Sequence, residues 1–234
     1  MKVLGVIPAR GGSVGVKRKN IRSLGDMPLI AHTIQACMES KLLSDFCVST
    51  EDAEIAEIAK SYGAAVPFVR PVELAEDVAS ELVVQHALQF YEETGKFFDA
   101  VMMLQPTSPF RSAKSIDKAI SILAKNDQFD SLLTAKNIEA ERPEWMFRDK
   151  FFLVEPYIAS VNGVPRQGLD LVARQDLEPL WKPDGSIFIV KVAAFKSTGK
   201  LVTNNCTFFE SPGIEKYDID SELELKIANF LVAQ

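Results

Sequence analysis

Short apolar runs alternate with amphipathic stretches through the first half of the chain, and this pattern constrains the fold most strongly. VLGVI (3–7) and AVMMLQ (100–105) are apolar almost throughout, as expected of strands buried on both faces. Strand–helix alternation at this pace predicts an α/β fold: a mostly parallel sheet with helices on both faces. The predicted strands are 3–7, 46–50, 65–69, 100–105, 130–135 and 186–192, and the predicted helices are 27–39, 51–59, 79–93, 115–124 and 219–233.

Residues 137–181 break this rhythm. They include four prolines and a high share of aromatic side chains. A long irregular segment inside a compact domain is usually functional or a docking element; a β extension that covers a sheet edge is the alternative. A chain of 234 residues suits one domain. We therefore expect residues 1–234 to form one domain with 137–181 as an insertion.

Charge and cysteine content exclude several classes of protein. Lys and Arg total 26 against 32 Asp and Glu, so the net charge is -6, which argues against general binding to nucleic acid or anionic membranes. The three cysteines are far apart and form no CxxC motif, which favours reduced thiols over zinc or disulfides. No apolar run approaches the roughly 18 residues of a membrane span, and the first is too short for a signal peptide. We expect a soluble, cytoplasmic protein.

The strongest functional signal is the loop that follows the first strand, Ile7–Asn20. It contains three glycines, one serine and four cationic residues. Ligands of open parallel sheets bind beyond the carboxyl ends of the strands. Glycine lets backbone N–H groups approach phosphate oxygens, and Arg and Lys neutralise them. Neither GxGxxG nor GxxxxGK[ST] fits, so the prediction is an atypical phosphate-binding loop; a flexible basic surface loop is the alternative.

Three further segments contain polar residues beside predicted strands or helices: 70–80, 104–111 and Asp218-Ile219-Asp220. In an extended segment, residues two apart share a face, so the two aspartates can present oxygen ligands to one Mg²⁺ or Mn²⁺. Solvated acids at a helix start are the alternative. His32 and His86 lie in apolar helical patterns without a triad or zinc spacing, so we do not expect catalysis by histidine.

Together these segments resemble the CMP-N-acetylneuraminate synthetase, or acylneuraminate cytidylyltransferase, family, which includes legionaminate and pseudaminate cytidylyltransferases. The resemblance runs along almost the whole chain. It implies a Rossmann-like domain with a dimerisation arm, which 137–181 would supply, and a homodimer with shared active sites. The blocks that carry it are IPARGGSVGVKRKNI (7–21), VSTEDAEIAEIAKSYGA (48–64), RPVELAEDVAS (70–80), LQPTSPFR (104–111), RQDLEPLWKPDGSIFI (174–189), NNCTFF (204–209) and DIDSELEL (218–225).

The resemblance also implies a reaction: CTP and a nine-carbon 2-keto-acid sugar give a CMP-sugar and pyrophosphate, for cell-surface polysaccharide synthesis. Arg10, Lys19 and Asp220 would be catalytic, and Asp218 and Asp220 would bind Mg²⁺ or Mn²⁺. The implied nucleotide-binding residues are Arg10, Gly11, Gly12, Ser13, Lys19, Asn20, Arg70 and Ser80. The implied sugar-binding residues are Gln105, Arg174, Asp184, Phe208 and Phe209, the two phenylalanines reaching in from the neighbouring subunit.

Five positions depart from the pattern common in the family. Val14 stands where Lys is frequent in the glycine loop, and Trp145 resembles the legionaminate branch more than the sialate branch. Most departures fall at the sugar end, so the sugar is less firmly predicted than the nucleotide. An eight-carbon keto-acid sugar and a catalytically silent nucleotide-sugar-binding protein remain alternatives. The other departures are Lys182, Asp184 and Phe188.

Overall fold

The computed structural model describes residues 1–12, 15–76, 78–151, 153–158, 160–161, 164–165 and 172–233. The chain divides into two compact units. The first consists of Met1–Ala135 and Pro183–Gln234, and the second is Lys136–Lys182. The segment expected as an insertion, 137–181, lies within the second unit.

Strands and helices alternate through the first half of the chain, as the sequence predicts. No helix of the described residues is long and apolar enough to cross a membrane. The strands are β1 (Val3–Pro8), β2 (Ser23–Leu24), β3 (Met27–Pro28), β4 (Asp45–Ser49), β5 (Ala100–Met103), β6 (Ser131–Asn137), β7 (Phe147–Lys150), β8 (Leu153–Pro156), β9 (Ser160–Val161), β10 (Val164–Pro165), β11 (Trp181–Lys191) and β12 (Cys206–Glu210). The α-helices are α1 (Leu29–Glu39), α2 (Ala53–Ser61), α3 (Ser80–Glu93), α4 (Ala113–Lys125), α5 (Val192–Thr198) and α6 (Glu222–Val232).

The central sheet has six strands in the order β12-β6-β11-β5-β1-β4. β1 pairs in parallel with β4 and β5, and β12 pairs in parallel with β6. β11 runs antiparallel to β5. The predicted α/β class with a mostly parallel sheet is therefore confirmed, with one antiparallel strand near its middle.

The predicted strand at 65–69 is wrong. Among the residues that the structure describes, its ladder contact is limited to an isolated bridge between Ala65 and Cys47. Pro67 has no N–H to donate, which stops a ladder from continuing through this segment. β12 and α5 were not predicted, because their sequences are too short and mixed in polarity for a clear period.

Side chains alternate between the two faces of the sheet. Val3 and Ile7 of β1 pack in one core cluster, which includes residues of α1, α2 and α4. Leu4 and Val6 pack in a second cluster, with residues of α3 and α5. Both faces are therefore covered by helices, which explains why these strands are apolar at consecutive positions.

A third apolar cluster ties the C-terminal region to the loop after β1. Ile219 is fully buried and packs with Val16, Leu24 and Leu225. Burying one such side chain contributes roughly 1.5–3 kcal/mol. α6 starts beside this cluster with a capping box, in which Ser221 and Glu224 bond each other's backbone N–H groups. Ile219 thus anchors the acidic segment against the glycine loop.

Candidate active site

A cavity of about 470 Å³ lies beyond the carboxyl ends of β1 and β5. This is where a parallel sheet binds its ligands. Loops from both ends of the chain line it. The predicted site residues that line the cavity are Arg10, Lys19, Asn20, Arg70, Ser80, Gln105, Asp218 and Asp220. Other lining residues are Pro8, Gly15, Leu74, Glu76, Val78, Val83, Pro106 and Thr107.

Lys19 joins the loop after β1 to the acidic segment. Its Nζ donates to the carbonyl oxygen of Ile219 at 2.8 Å and to Oδ1 of Asp220 at 3.1 Å. The Lys19 side chain is 13% exposed, whereas Asp220 is 75% exposed. The cation is therefore held by groups 200 and 201 residues away in sequence, with its partner carboxylate open to the cavity.

Gly15 permits the closest approach between these two segments. A Cβ at residue 15 would overlap the carbonyl oxygen of Asp220. The backbone of Ile219 donates in turn to the carbonyl oxygen of Thr107 at 2.9 Å, in the loop after β5. Three segments thus meet through backbone atoms, and any side chain at residue 15 would push two of them apart.

Side-chain hydrogen bonds also hold both ends of the glycine loop. Nδ2 of the buried Asn20 donates to the carbonyl oxygen of Arg10 at 2.9 Å. Arg18 has a left-handed backbone with φ 54°, and its guanidinium donates to both carboxylate oxygens of Asp52 at 2.9 and 3.1 Å. Asp52 also caps α2 by accepting from the N–H of Ile55. The loop is therefore fastened to the start of α2.

Glu51 makes a second attachment at the carboxyl end of β4. Its Oε1 accepts from the backbone N–H of Gly11 at 2.6 Å. Its Oε2 accepts from Nη2 and Nε of Arg70 at 2.6 and 3.1 Å. The sequence analysis missed Glu51. The signal was present, because an acid directly after a parallel strand lies at the same edge as the glycine loop.

Asp218 is the more buried of the two predicted metal ligands. Burial raises the pKa of its carboxyl above the ordinary value. Its Oδ1 is buried and has no hydrogen-bond partner among the described residues. Such an atom is costly unless a ligand satisfies it. Within the part of the chain that the structure describes, no three His, Cys, Asp or Glu residues cluster as a complete metal site.

Arg111 organises the region next to Asp218. The buried guanidinium donates to the carbonyl oxygens of Gln105 at 2.6 Å and Ser186 at 2.7 Å, and to Oγ1 of Thr33 at 3.2 Å. Burial lowers the pKa of Arg111 to about 10, so it stays charged at neutral pH. It fixes the backbone at Gln105, a predicted sugar-binding residue.

Asp184 lies in a buried network instead of on the cavity surface. It is 4% exposed, and its Oδ1 accepts from Oγ1 of Thr134 at 2.6 Å and from the N–H of Ser186 at 2.9 Å. The next residue, Gly185, has φ 82°, and a Cβ there would lie 3.1 Å from Oε1 of Gln105. Direct contact with a sugar was predicted for Asp184; its contacts instead shape the turn beside Gln105.

The two phenylalanines predicted to contact the sugar differ in exposure. Phe209 is 8% exposed and belongs to the first core cluster, with Nζ of Lys118 4.3 Å from its ring centroid. Phe208 is 45% exposed. Because neighbouring strand residues face opposite ways, only Phe208 keeps a ring surface for a ligand, and the prediction for Phe209 does not fit its buried position.

The remaining predicted residues lie elsewhere. Arg174 belongs to the second unit, where its Nη1 pairs with Oε2 of Glu139 at 3.2 Å and both side chains are exposed. Gly11 and Gly12 lie between Arg10 and Gly15, which both line the cavity, but are not lining residues themselves. Ser13 lies outside the described residues, as does the departure at Val14.

The chain matches the family model described as Cytidylyltransferase over residues 4–185. It is 32% identical to CMP-N,N'-diacetyllegionaminic acid synthase of Legionella pneumophila, over 99% of this chain and 97% of that protein. It is 35% identical to post-translational flagellin modification protein B of Campylobacter coli, over 100% and 96%. A solved CMP:2-keto-3-deoxy-manno-octonic acid synthetase complexed with CTP has a similar fold, with 14% identity, a TM-score of 0.72, and coverage of 100% of this chain and 99% of that one.

The residues that line the cavity and the sequence matches indicate the same family. A basic glycine loop, a buried arginine and two aspartates meet at the carboxyl edge of the sheet, and the family match spans all of these segments except the C-terminal aspartates. The full-length relative from Legionella covers the aspartates as well. The chain belongs to the cytidylyltransferase family of CTP-dependent nucleotidyltransferases, as its resemblance to acylneuraminate cytidylyltransferases had indicated.

Proposed function

We propose that this protein transfers CMP from CTP to the anomeric hydroxyl of a nine-carbon 2-keto-acid sugar and releases pyrophosphate. One observation carries the proposal: cationic and acidic side chains line the same cavity at the carboxyl edge of the sheet. Phosphoryl transfer is catalysed mainly by positioning and by charge stabilisation, and this cavity supplies both signs of charge. The name of the Legionella relative supports a sugar of the legionaminate type.

The cations would hold the triphosphate. Lys19 is already oriented by Ile219 and Asp220, so it needs little rearrangement to meet a phosphate oxygen. Arg10 lines the same cavity. Asn20, Arg70 and Ser80 would surround the base and ribose, while Gln105 would face the acceptor sugar.

The acidic pair would hold Mg²⁺ or Mn²⁺. Mg²⁺ in nucleotide sites is bound through one or two carboxylates together with substrate phosphates, so the absence of a third acidic ligand among the described residues fits this cation. The unpartnered Oδ1 of Asp218 and the exposed carboxylate of Asp220 supply the donors. The bound ion would offset negative charge on the α-phosphate and on the attacking oxygen.

The experiment that tests this function measures pyrophosphate release. Purified protein receives CTP and Mg²⁺ with N-acetylneuraminate, diacetyllegionaminate, diacetylpseudaminate or an eight-carbon keto-acid sugar. We expect release with at least one nine-carbon sugar, and none without sugar or with chelator. Release only with the eight-carbon acid would correct the substrate class, and CTP binding without release from any sugar would favour a silent binding protein.

We further propose that the second unit mediates a homodimer. Its strands β7 and β8 pair in antiparallel fashion, and Phe151, in the turn after β7, has φ 54° and is 92% exposed. A large apolar residue in this conformation is strained and fully accessible, which suits a docking surface. Other exposed apolar side chains of this unit include Phe147, Leu153, Val154 and Tyr157.

Light scattering at micromolar concentration tests the homodimer. We expect the mass of two chains, and the mass of one chain after Phe151→Ser and Leu153→Ser together. A wild-type protein that is active with the mass of one chain would refute both the dimer and the shared site.

We also infer a cytoplasmic location, because the reaction consumes CTP and the three cysteines are free. The CMP-sugar product would supply glycosyltransfer to cell-surface polysaccharide.

A further inference from the structure

The carboxylate of Glu51 connects two segments beside the cavity that are far apart in sequence. Gly11 is 40 residues before it and Arg70 is 19 residues after it. Gly11 follows Arg10 at the start of the glycine loop, and both Arg10 and Arg70 line the cavity. One side chain therefore holds the backbone of the phosphate loop and the guanidinium on the base side.

The contact between Glu51 and Arg70 is largely shielded from solvent. The Arg70 side chain is 3% exposed and that of Glu51 is 18% exposed. The backbone N–H of Arg70 also donates to the carbonyl oxygen of Thr50 at 2.9 Å, next to Glu51 in sequence. Hydrogen bonds between charged groups with little solvent contact are stronger than surface ion pairs, so the geometry of Arg70 depends on Glu51.

Arg70 has further N–H donors with which to bind a ligand. A guanidinium has five N–H donors, and Glu51 takes two of them, from Nε and Nη2. The other three have no partner among the described residues. Both oxygens of Glu51 are engaged by donors, and Arg70 offsets its charge, which limits repulsion of a nearby triphosphate.

On the basis of the nucleotide site proposed above, we propose that Glu51 is a positioning residue for the nucleoside triphosphate. By holding the backbone of Gly11, next to the cavity-lining Arg10, in a fixed arrangement with the Arg70 guanidinium, it positions both cations for a nucleoside triphosphate. A ligand that reaches from the phosphate loop to Arg70 gains affinity from such preorganisation. Inorganic triphosphate, which would reach only the phosphate loop, gains less.

The test compares Glu51→Gln with Glu57→Gln as a matched control. Glu57 is an exposed acid of α2 that pairs with Lys60 at 2.9 Å, so its loss changes the net charge equally without touching the loop. Calorimetry measures the Kd of CTP and of inorganic triphosphate. For Glu51→Gln we expect the Kd of CTP to rise about tenfold and that of triphosphate by less than about threefold. The control should match wild type.

Steady-state kinetics supply a second readout. We expect the KM for CTP to rise about tenfold with kcat within about threefold of wild type, since Glu51 acts on binding geometry. A general loss of structure would lower kcat and Tm together instead. The effect of Glu51→Gln on the KM for CTP should also be smaller in an Arg70→Met background, because the effects of substituting two coupled residues are not additive.

Several results would overturn the proposal. A Kd for CTP equal to that of the Glu57→Gln control would do so, and so would tighter binding, which would mean that Glu51 competes with phosphate for the Gly11 N–H. If Glu51→Gln does not fold, Glu51→Asp is measured; it keeps the charge but is one methylene too short to reach both partners, and an unchanged Kd would refute the bridge. Wild-type protein that does not bind CTP would refute the proposed function as well.

Discussion

The carbonyl oxygen of Asp220 lies so close to Gly15 that a Cβ at residue 15 would overlap it, so glycine is required at that position of the loop. Asp220 is also the ion-pair partner of Lys19. The glycine loop and the acidic segment therefore touch through backbone and side chain at once. This contact brings the proposed triphosphate-binding cation and the proposed metal ligand into one cavity.

Gly15→Ala should impair the enzyme because the new methyl group separates these segments. Forcing an extra carbon into a tight contact costs typically about 1–3 kcal/mol, so we expect kcat/KM for CTP to fall about ten- to a hundredfold. A Cβ at Gly12 in the same loop would have no atom of the described residues within 4 Å, so Gly12→Ala should lower kcat/KM distinctly less. Equal losses in the two variants would show that the contact with Asp220 does not matter. The measurement is pyrophosphate release at varied CTP.

Asp218→Asn and Asp220→Asn should lose turnover more than nucleotide affinity. A neutral amide binds Mg²⁺ more weakly than a carboxylate does, and loss of the ion's charge compensation should lower kcat at least about a hundredfold. Glu222→Gln is the matched control, since this acid pairs with Arg22 on the surface. Calorimetry with CTP and a titration of Mg²⁺ against kcat give the two readouts. Near wild-type kcat in either aspartate variant would refute the metal assignment.

Trp145 should influence the choice of sugar. Its indole Nε1 donates to the carbonyl oxygen of Val172 at 2.9 Å within the second unit, and its ring adds apolar area. One extra acyl methyl buried on it would gain about 1 kcal/mol, so we expect kcat/KM to favour diacetyllegionaminate over N-acetylneuraminate by about tenfold or less.

Two variants separate the ring from its hydrogen bond. Trp145→Lys removes the apolar face and should reduce the preference, whereas Trp145→Phe keeps an aromatic face but loses the bond to Val172 and should retain most of it. The assay compares kcat/KM for N-acetylneuraminate, diacetyllegionaminate and diacetylpseudaminate. A wild-type preference for N-acetylneuraminate that Trp145→Lys leaves unchanged would contradict this prediction.

Asp52→Asn should reveal a pH-dependent contribution to stability. The hydrogen bond from Arg18 lowers the pKa of Asp52 below its ordinary value of 3.8. A carboxyl with a lowered pKa in the folded state stabilises the fold above its unfolded pKa, and this contribution is lost as the pH falls through the folded pKa. Asn can still cap α2 at Ile55, so the substitution removes mainly the charge.

At pH 7 the Asp52→Asn variant should therefore be about 1 kcal/mol less stable than wild type. Below pH 3.8 the difference should shrink towards zero. Urea unfolding of both proteins from pH 7 down to the lowest pH at which both fold provides the comparison. A stability difference that does not depend on pH would mean that the Arg18 pair contributes no charge-dependent stability.

Much of this architecture could be predicted from the sequence, because the information was local. Apolar runs marked β1 and β5, and the rule that ligands bind beyond the carboxyl ends of parallel strands led to Arg10, Lys19 and Gln105. Seven ordered motifs identified the family. Where a local signal was ambiguous the prediction was wrong, as at 65–69, where a strand-like run contains Pro67.

Only the tertiary structure decided which side chains meet and which are buried. Glu51 becomes significant through Gly11 and Arg70, and Lys19 through Asp220, which is 201 residues away. Phe208 and Phe209 are adjacent residues of the same type, yet Phe208 is exposed and Phe209 is in the core. The physical reason is that composition and spacing predict the period of an element, whereas burial and hydrogen bonding depend on the neighbours that the fold brings to it.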